Sequence, residues 1–155
     1  MKYIQIIICF FLFLSACTTP CTSQKDEIKG DIIKLLDIPC PFFGKPKKGN
    51  NGFIIQDYKD CKNKFSDKVC SSLQGTNFRK YSILGSFTLG SGCRTFYRRQ
   101  LKINHYNKKY IYTVSVFECG GCLPARFSLN MVLVPALPDQ TYEVEFKNIY
   151  YNTFF

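Results

Sequence analysis

Cys119-Gly-Gly-Cys122 places two thiols at the spacing redox enzymes use, where a C-x-x-C after a strand cycles between dithiol and disulfide. The chain downstream argues against that chemistry. Only 33 residues follow Cys122 and they read as strands, whereas a thioredoxin-like domain needs a helix directly after the motif. A zinc site would need a second ligand pair at matching spacing, and Cys61 with Cys70 does not supply it. The single histidine, His105, falls at a hairpin tip about 30 Å from Cys93 and Cys119, too far to serve either as a base. Glu143 and Glu145 share a strand face about 7 Å apart and invite a carboxylate-pair reading. Glutamates on a strand exterior more often keep the strand soluble. No glycine-rich phosphate loop, G-x-S-x-G or H-E-x-x-H occurs. The expectation is therefore a non-enzyme with no metal and no cofactor, and a thiol-disulfide oxidoreductase using Cys119 and Cys122 stands as an alternative.

Binding chemistry is better represented. Arg94, Phe96, Arg98, Gln100 and Lys102 alternate along one strand face, and basic groups interleaved with an aromatic ring suit a polyanion. An acidic polysaccharide or a lipopolysaccharide phosphate fits; a nucleic acid is not expected. The competing reading is a plain solvated face. Charge distribution sharpens the point. The 155 residues carry a formal +10, yet no Asp or Glu occurs between Lys68 and Phe117 while nine Lys and Arg do, and the rest of the chain past Ala16 is balanced. Arg99 disturbs the pattern by falling on the face that otherwise reads as apolar.

The elements that must hold these groups emerge from periodicity. With 46% apolar and 21% charged residues the chain can bury a core. Ser23 to Asp37 has a capping pattern followed by Ile28, Ile32 and Leu35, which predicts a short amphipathic helix weakened by Gly30. Residues 44–52 form a loop, Phe53 to Ile55 a brief strand, and Asp57 caps a helix carrying Tyr58, Cys61, Phe65, Val69 and Leu73. In one continuous helix Cys61 and Cys70 would sit about 13.5 Å apart in rise and on opposite faces. Either the helix breaks near Ser66-Asp67 or the two do not pair.

From Phe78 onward the period is two. Residues 94–104 and 109–118 read as a hairpin around His105-Tyr-Asn-Lys108, in the register that sets Leu101 opposite Tyr112, Ile103 opposite Tyr110 and Tyr97 opposite Val116. Phe127 to Leu133, ending at Pro135, gives a third strand and Tyr142 to Phe146 a fourth, with Leu137-Pro138-Asp139-Gln140 turning between them. The fold class expected is mainly β (α+β): an antiparallel sheet, sandwich-like or half-barrel, with one or two short helices on its N-terminal side.

At the N-terminus Lys2, the apolar run Tyr3 to Leu14 and Leu14-Ser15-Ala16-Cys17 resemble a bacterial lipoprotein signal, with Cys17 the residue to be acylated. Residues 1–16 would be the signal peptide, 17–25 a tether and 26–155 one disulfide-braced β-rich domain. Gln24-Lys25-Asp26-Glu27 resembles the export signal of Bacteroidetes surface lipoproteins. Cleavage after Ala16 to give a soluble secreted protein is the alternative. Nine cysteines suit an oxidising compartment. In the hairpin register Cys93 faces Gly120 with Cys122 diagonal to it, so Cys93 with Cys122 is favoured, and Cys93 with Cys119 if the register shifts by one. Cys40, Cys61 and Cys70 are further disulfide candidates, and Cys21 is left on the tether.

Phe78-Arg-Lys-Tyr-Ser-Ile-Leu-Gly85, Gly90-Ser-Gly-Cys93, Lys109-Tyr-Ile-Tyr112, the Gly-Cys122 step, Met131-Val-Leu-Val-Pro135 and Tyr142-Glu-Val-Glu-Phe146 resemble a group of small lipoproteins from Flavobacterium-like Bacteroidetes with a secreted, disulfide-containing β domain. The resemblance covers about residues 50 to 147. It implies a fold and a place in the cell envelope, and no activity. The functional expectation is a non-catalytic lipoprotein held in the outer membrane by its N-terminal lipid, binding an anionic polysaccharide or an envelope protein. An inhibitor or immunity-type protein against a secreted enzyme is the alternative from another class.

Overall fold

A computed structural model describes residues 26–36, 52–90, 94–119, 126–137 and 142–153. Eight strands and two short helices run in the order β1 (Glu27–Gly30), β2 (Lys34–Leu36), β3 (Gly52–Ile55), α1 (Tyr58–Lys64), α2 (Asp67–Ser71), β4 (Tyr81–Gly90), β5 (Arg94–Asn104), β6 (Lys109–Cys119), β7 (Arg126–Pro135) and β8 (Glu143–Thr153). They build two four-stranded sheets, β1-β5-β6-β8 and β2-β7-β4-β3, packed face to face as an open sandwich. The expected class, mainly β with two short helices, holds.

The β5–β6 hairpin has the register its apolar pattern demands, with Leu101 opposite Tyr112 and Tyr97 opposite Val116. Its turn is fastened by Asn104, whose Oδ1 accepts the N–H groups of Tyr106 and Asn107. The antiparallel expectation is corrected for the rest of that sheet: β1 runs parallel to β5, and β8 parallel to β6. Topology explains it. The chain leaves the top of β6, descends along β7 in the other sheet, and so begins β8 at the end where β6 began. β7 and β8, between which a turn at residues 137–140 is expected, belong to different sheets. Residues 138–140 lie outside the described set.

No helix occupies Glu27 to Leu36. Gly30 has φ 77°, and a Cβ there would run into the Leu101 carbonyl, so glycine permits both the close approach of β1 to β5 and the exit from it. The chain then crosses from one sheet to the other, burying Ile32 between them, before β2 pairs with β7. Ile28, Ile32 and Leu35 match helical spacing by coincidence, since they belong in turn to a strand of one sheet, the crossing, and a strand of the other sheet.

The second helix expectation resolves to its first alternative. Asp57 Oδ1 accepts the Asp60 N–H at 2.6 Å, Phe65 turns extended to pack on Phe53 with ring centroids 4.8 Å apart, and α2 restarts at Asp67. The break brings Cys61 and Cys70 to a Cα separation of 5.8 Å, and they form a disulfide. Both cysteines are buried. Closing a loop with a sequence separation of 9 is worth about 2.5 kcal/mol.

Three layers result. Between the sheets lie Leu84, Leu101, Tyr112, Val114, Val116, Val132 and Val134. The far face of β4 and β7 buries Ile83, Met131 and Leu133 beneath the disulfide-linked helices. Strands buried on both faces read as continuous apolar runs, which is how Met131-Val-Leu-Val134 reads.

Candidate functional site

The outer face of the β1-β5-β6-β8 sheet has no covering layer among the described residues. Alternation puts Arg94, Phe96, Arg98, Gln100 and Lys102 of β5 there, beside Phe117, Ser115, Thr113 and Ile111 of β6 and Tyr151, Ile149, Lys147 and Glu145 of β8. The four basic-face residues read from sequence are therefore on one surface. What joins them was not legible: a stack across the sheet. The Arg98 guanidinium lies 5.2 Å from the centre of the Phe117 ring, and Phe117 stacks on Tyr151 at 4.8 Å with the planes 6° apart. Both faces of Phe117 are thus occupied, while Tyr151, on β8 at the end of the described sheet, is 44% exposed. The strand predicted to end at Phe146 continues to Thr153. The β-favouring run Ile149-Tyr150-Tyr151 is the signal that would have extended it.

The electrostatics of the face are more mixed than a basic strip. Glu27, delivered by β1, receives Arg98 Nε at 2.6 Å and Lys29 Nζ at 3.0 Å. Those two hydrogen bonds, Lys29 first, hold the Glu27 carboxyl below its ordinary range. Lys109 bonds Glu143 at 3.0 Å, which holds the ammonium above its usual range, and Lys147 bonds Glu145 at 2.9 Å and lowers that carboxyl. The Glu145 carboxyl is lowered rather than raised toward neutral pH, and each glutamate sits in a surface ion pair that adds little in water. Arg94 and Lys102 make no ion pair among the described residues and carry the unopposed charge.

Arg99 answers the anomaly in its sequence position. The register is as expected; the residue is 5% exposed and its side chain points between the sheets. Its Nε donates to Asn130 Oδ1 at 3.0 Å and its Nη1 to Asp26 Oδ2 at 3.1 Å. Asn130 Nδ2 donates to Thr88 Oγ1 at 2.8 Å, and the Tyr97 N–H donates to Asp26 Oδ1 at 2.9 Å. The Tyr97 hydroxyl donates to Ser128 Oγ at 2.6 Å. A buried guanidinium is tolerable only with such partners. The network ties the first described residue to both sheets and fixes the β5 strand that displays the outer face. Burial pushes the Tyr112 hydroxyl above its usual range, partly offset by Arg99.

The thiol expectations divide. Cys61 with Cys70 is formed. Cys119, expected to stay out of the pair favoured for Cys93, is itself disulfide-bonded and 6% exposed. The last described rung of the hairpin is Arg94 opposite Cys119. Cys93, Cys122, Cys40 and Cys17 lie outside the described residues, as does the partner of Cys119. Residues 126–135 form a strand, where a thioredoxin-type site would require a helix. Among the described residues no cluster of His, Cys, Asp or Glu could hold a metal ion, and no helix is long and apolar enough to cross a membrane.

No family model, no curated protein and no solved structure matches the chain.

Proposed function

We propose that the protein is a non-catalytic cell-envelope lipoprotein, acylated at Cys17, whose outer β1-β5-β6-β8 face binds an anionic glycan. One observation carries this reading: a bare sheet face presents the ordered Arg98–Phe117–Tyr151 stack between Arg94 and Lys102, the two cations of that face without an acidic partner among the described residues. Sugar rings pack on aromatic faces, and carboxylates or sulfates would meet the flanking cations. The resemblance to Bacteroidetes lipoproteins supports the location, and the lipobox-like Leu14-Ser15-Ala16-Cys17 supports the anchor.

The test is retention of the full chain on an immobilised polyuronate and on neutral dextran at low and high salt. Retention on the polyuronate alone, released by salt, is expected because screening shortens the reach of exposed charges to a few ångströms at molar salt. Arg94→Glu with Lys102→Glu should abolish it, and Tyr151→Ala should weaken it about tenfold, the equivalent of one aromatic stacking contact. Equal passage through both columns would sink the reading. Cys17-dependent incorporation of a clickable fatty acid tests the anchor separately.

A protein partner, whether an envelope protein or a secreted enzyme that this chain inhibits, is favoured by a different observation. β8 runs from Glu143 to Thr153 as an edge strand whose outer side pairs with nothing among the described residues, which suits strand addition. Capture of such a partner would survive high salt.

A further inference from the structure

One end of the sandwich gathers exposed apolar side chains that neither the core nor the proposed glycan face uses. Leu89 is 43% exposed, Phe127 62% and Tyr150 45%. Leu89 lies opposite Phe127 on the outer face of the β4–β7 pair, beyond the cover of the helices. Tyr150 reaches the same end from the edge of the other sheet, where its hydroxyl accepts the Leu89 N–H at 3.3 Å. Gly90 sits against Thr95 there, and Tyr97 against Ser128, so the ends of the two sheets coincide. The chain enters the domain at this end too. β1 runs parallel to β5 from the Arg98 rung downward, and Asp26, just before it, is bonded to Tyr97 and Arg99. Cys17 stands nine residues ahead of Asp26, a reach of at most about 31 Å.

We propose that this end, with Leu89, Phe127 and Tyr150, rests on the lipid headgroup layer in which the N-terminal anchor is held. The inference builds on the anchor in the proposed function and adds an orientation to it. Leu89 and Phe127 share the outer face of one sheet and Tyr150 comes from β8 of the other, so the three side chains span the ends of both sheets. A flat partner or a second copy would cover one side of this end; a deformable headgroup layer can meet all of them. Tyrosine and phenylalanine rings suit that boundary. Standing this way, the domain holds its glycan face upright beside the membrane, and the β5–β6 hairpin tip points away from it.

The chain contains no tryptophan, so a single introduced one reports its own surroundings. Phe127→Trp, Leu89→Trp and Tyr106→Trp, the last at the 98% exposed hairpin tip, are each made in the full acylated chain and reconstituted in vesicles with brominated acyl chains. Flotation with the vesicles, lost in Cys17→Ser, reports the anchor. The expected result is loss of most emission at positions 127 and 89, with emission at 106 unchanged. Flotation with equal emission at all three positions overturns the orientation and leaves the anchor standing. Failure to float overturns both. Shielding of position 127 from aqueous iodide without quenching by brominated lipid would mean that a protein surface covers this end, and would also overturn the proposal.

Discussion

The two outer faces of the sandwich received opposite treatments from one chain. Outside β4 and β7 the residues are Ile83, Phe87, Leu129, Met131 and Leu133, and a broken helical pair pinned by Cys61 and Cys70 is laid over most of them. Outside β5 and β6 the residues are Arg94, Arg98, Gln100, Lys102 and Thr113, and nothing described covers them. An apolar face must be roofed, and here the roof is cross-linked because two helices of 7 and 5 residues are too short to hold themselves together. A polar face can stay bare, and a bare face that nevertheless keeps an ordered aromatic stack is available for recognition. Coverage thus separates the side of the molecule that stabilises from the side proposed to bind.

That contrast can be broken most forcefully at Met131, fully buried under the helices. Met131→Ala should cost about 3 kcal/mol in denaturant unfolding, whereas Gln100→Ala on the bare face should stay within about 0.5 kcal/mol. Equal costs would erase the distinction between the faces. A smaller effect is expected from Cys61→Ala with Cys70→Ala, which frees the roof: about 2.5 kcal/mol, or a melting temperature lower by about 8 °C. Binding to polyuronate should be unchanged in that variant, measured at a temperature where it remains folded.

The weakest effect belongs to acid. Glu27 has a folded pKa below its unfolded value, so the stability it lends is complete above the unfolded pKa, near 4.3, and is lost as pH falls through the folded one. Glu27→Gln should flatten the acid limb of the stability profile below about pH 4 and leave neutral pH almost untouched. An unaltered acid limb would show that the β1 clamp on the bare face contributes nothing.

Much of this was readable in the chain. Alternation fixed the β5–β6 register because slipping by one residue would have turned Leu101 and Tyr112 into water, and the spacing of Cys61 and Cys70 reduced the helix to a choice between breaking and leaving them unpaired. Residues 27–36 mislead because apolar residues at helical spacing can also be a strand, a crossing and another strand; the deciding fact, contact of Gly30 with Leu101, is long-range. Parallel pairing of β8 with β6 was hidden for a related reason, since strand direction depends on which sheet the intervening β7 joins. Of the candidate site, Arg94, Phe96, Arg98 and Lys102 were visible as a pattern on one strand. Phe117, Tyr151 and Glu27 were not, because each arrives from another strand.

The parallel lie of β1 beside β5 has a mechanical consequence. A pull on the chain ahead of Asp26, directed out of the end where it enters, acts along the axis of β1. The four rungs from Glu27 to Gly30, with the Asp26 bonds to Tyr97 and Arg99 at their head, are then loaded together in shear. Peeling would instead load them one at a time. A domain pulled by the chain ahead of Asp26 would resist with the whole of this short ladder at once.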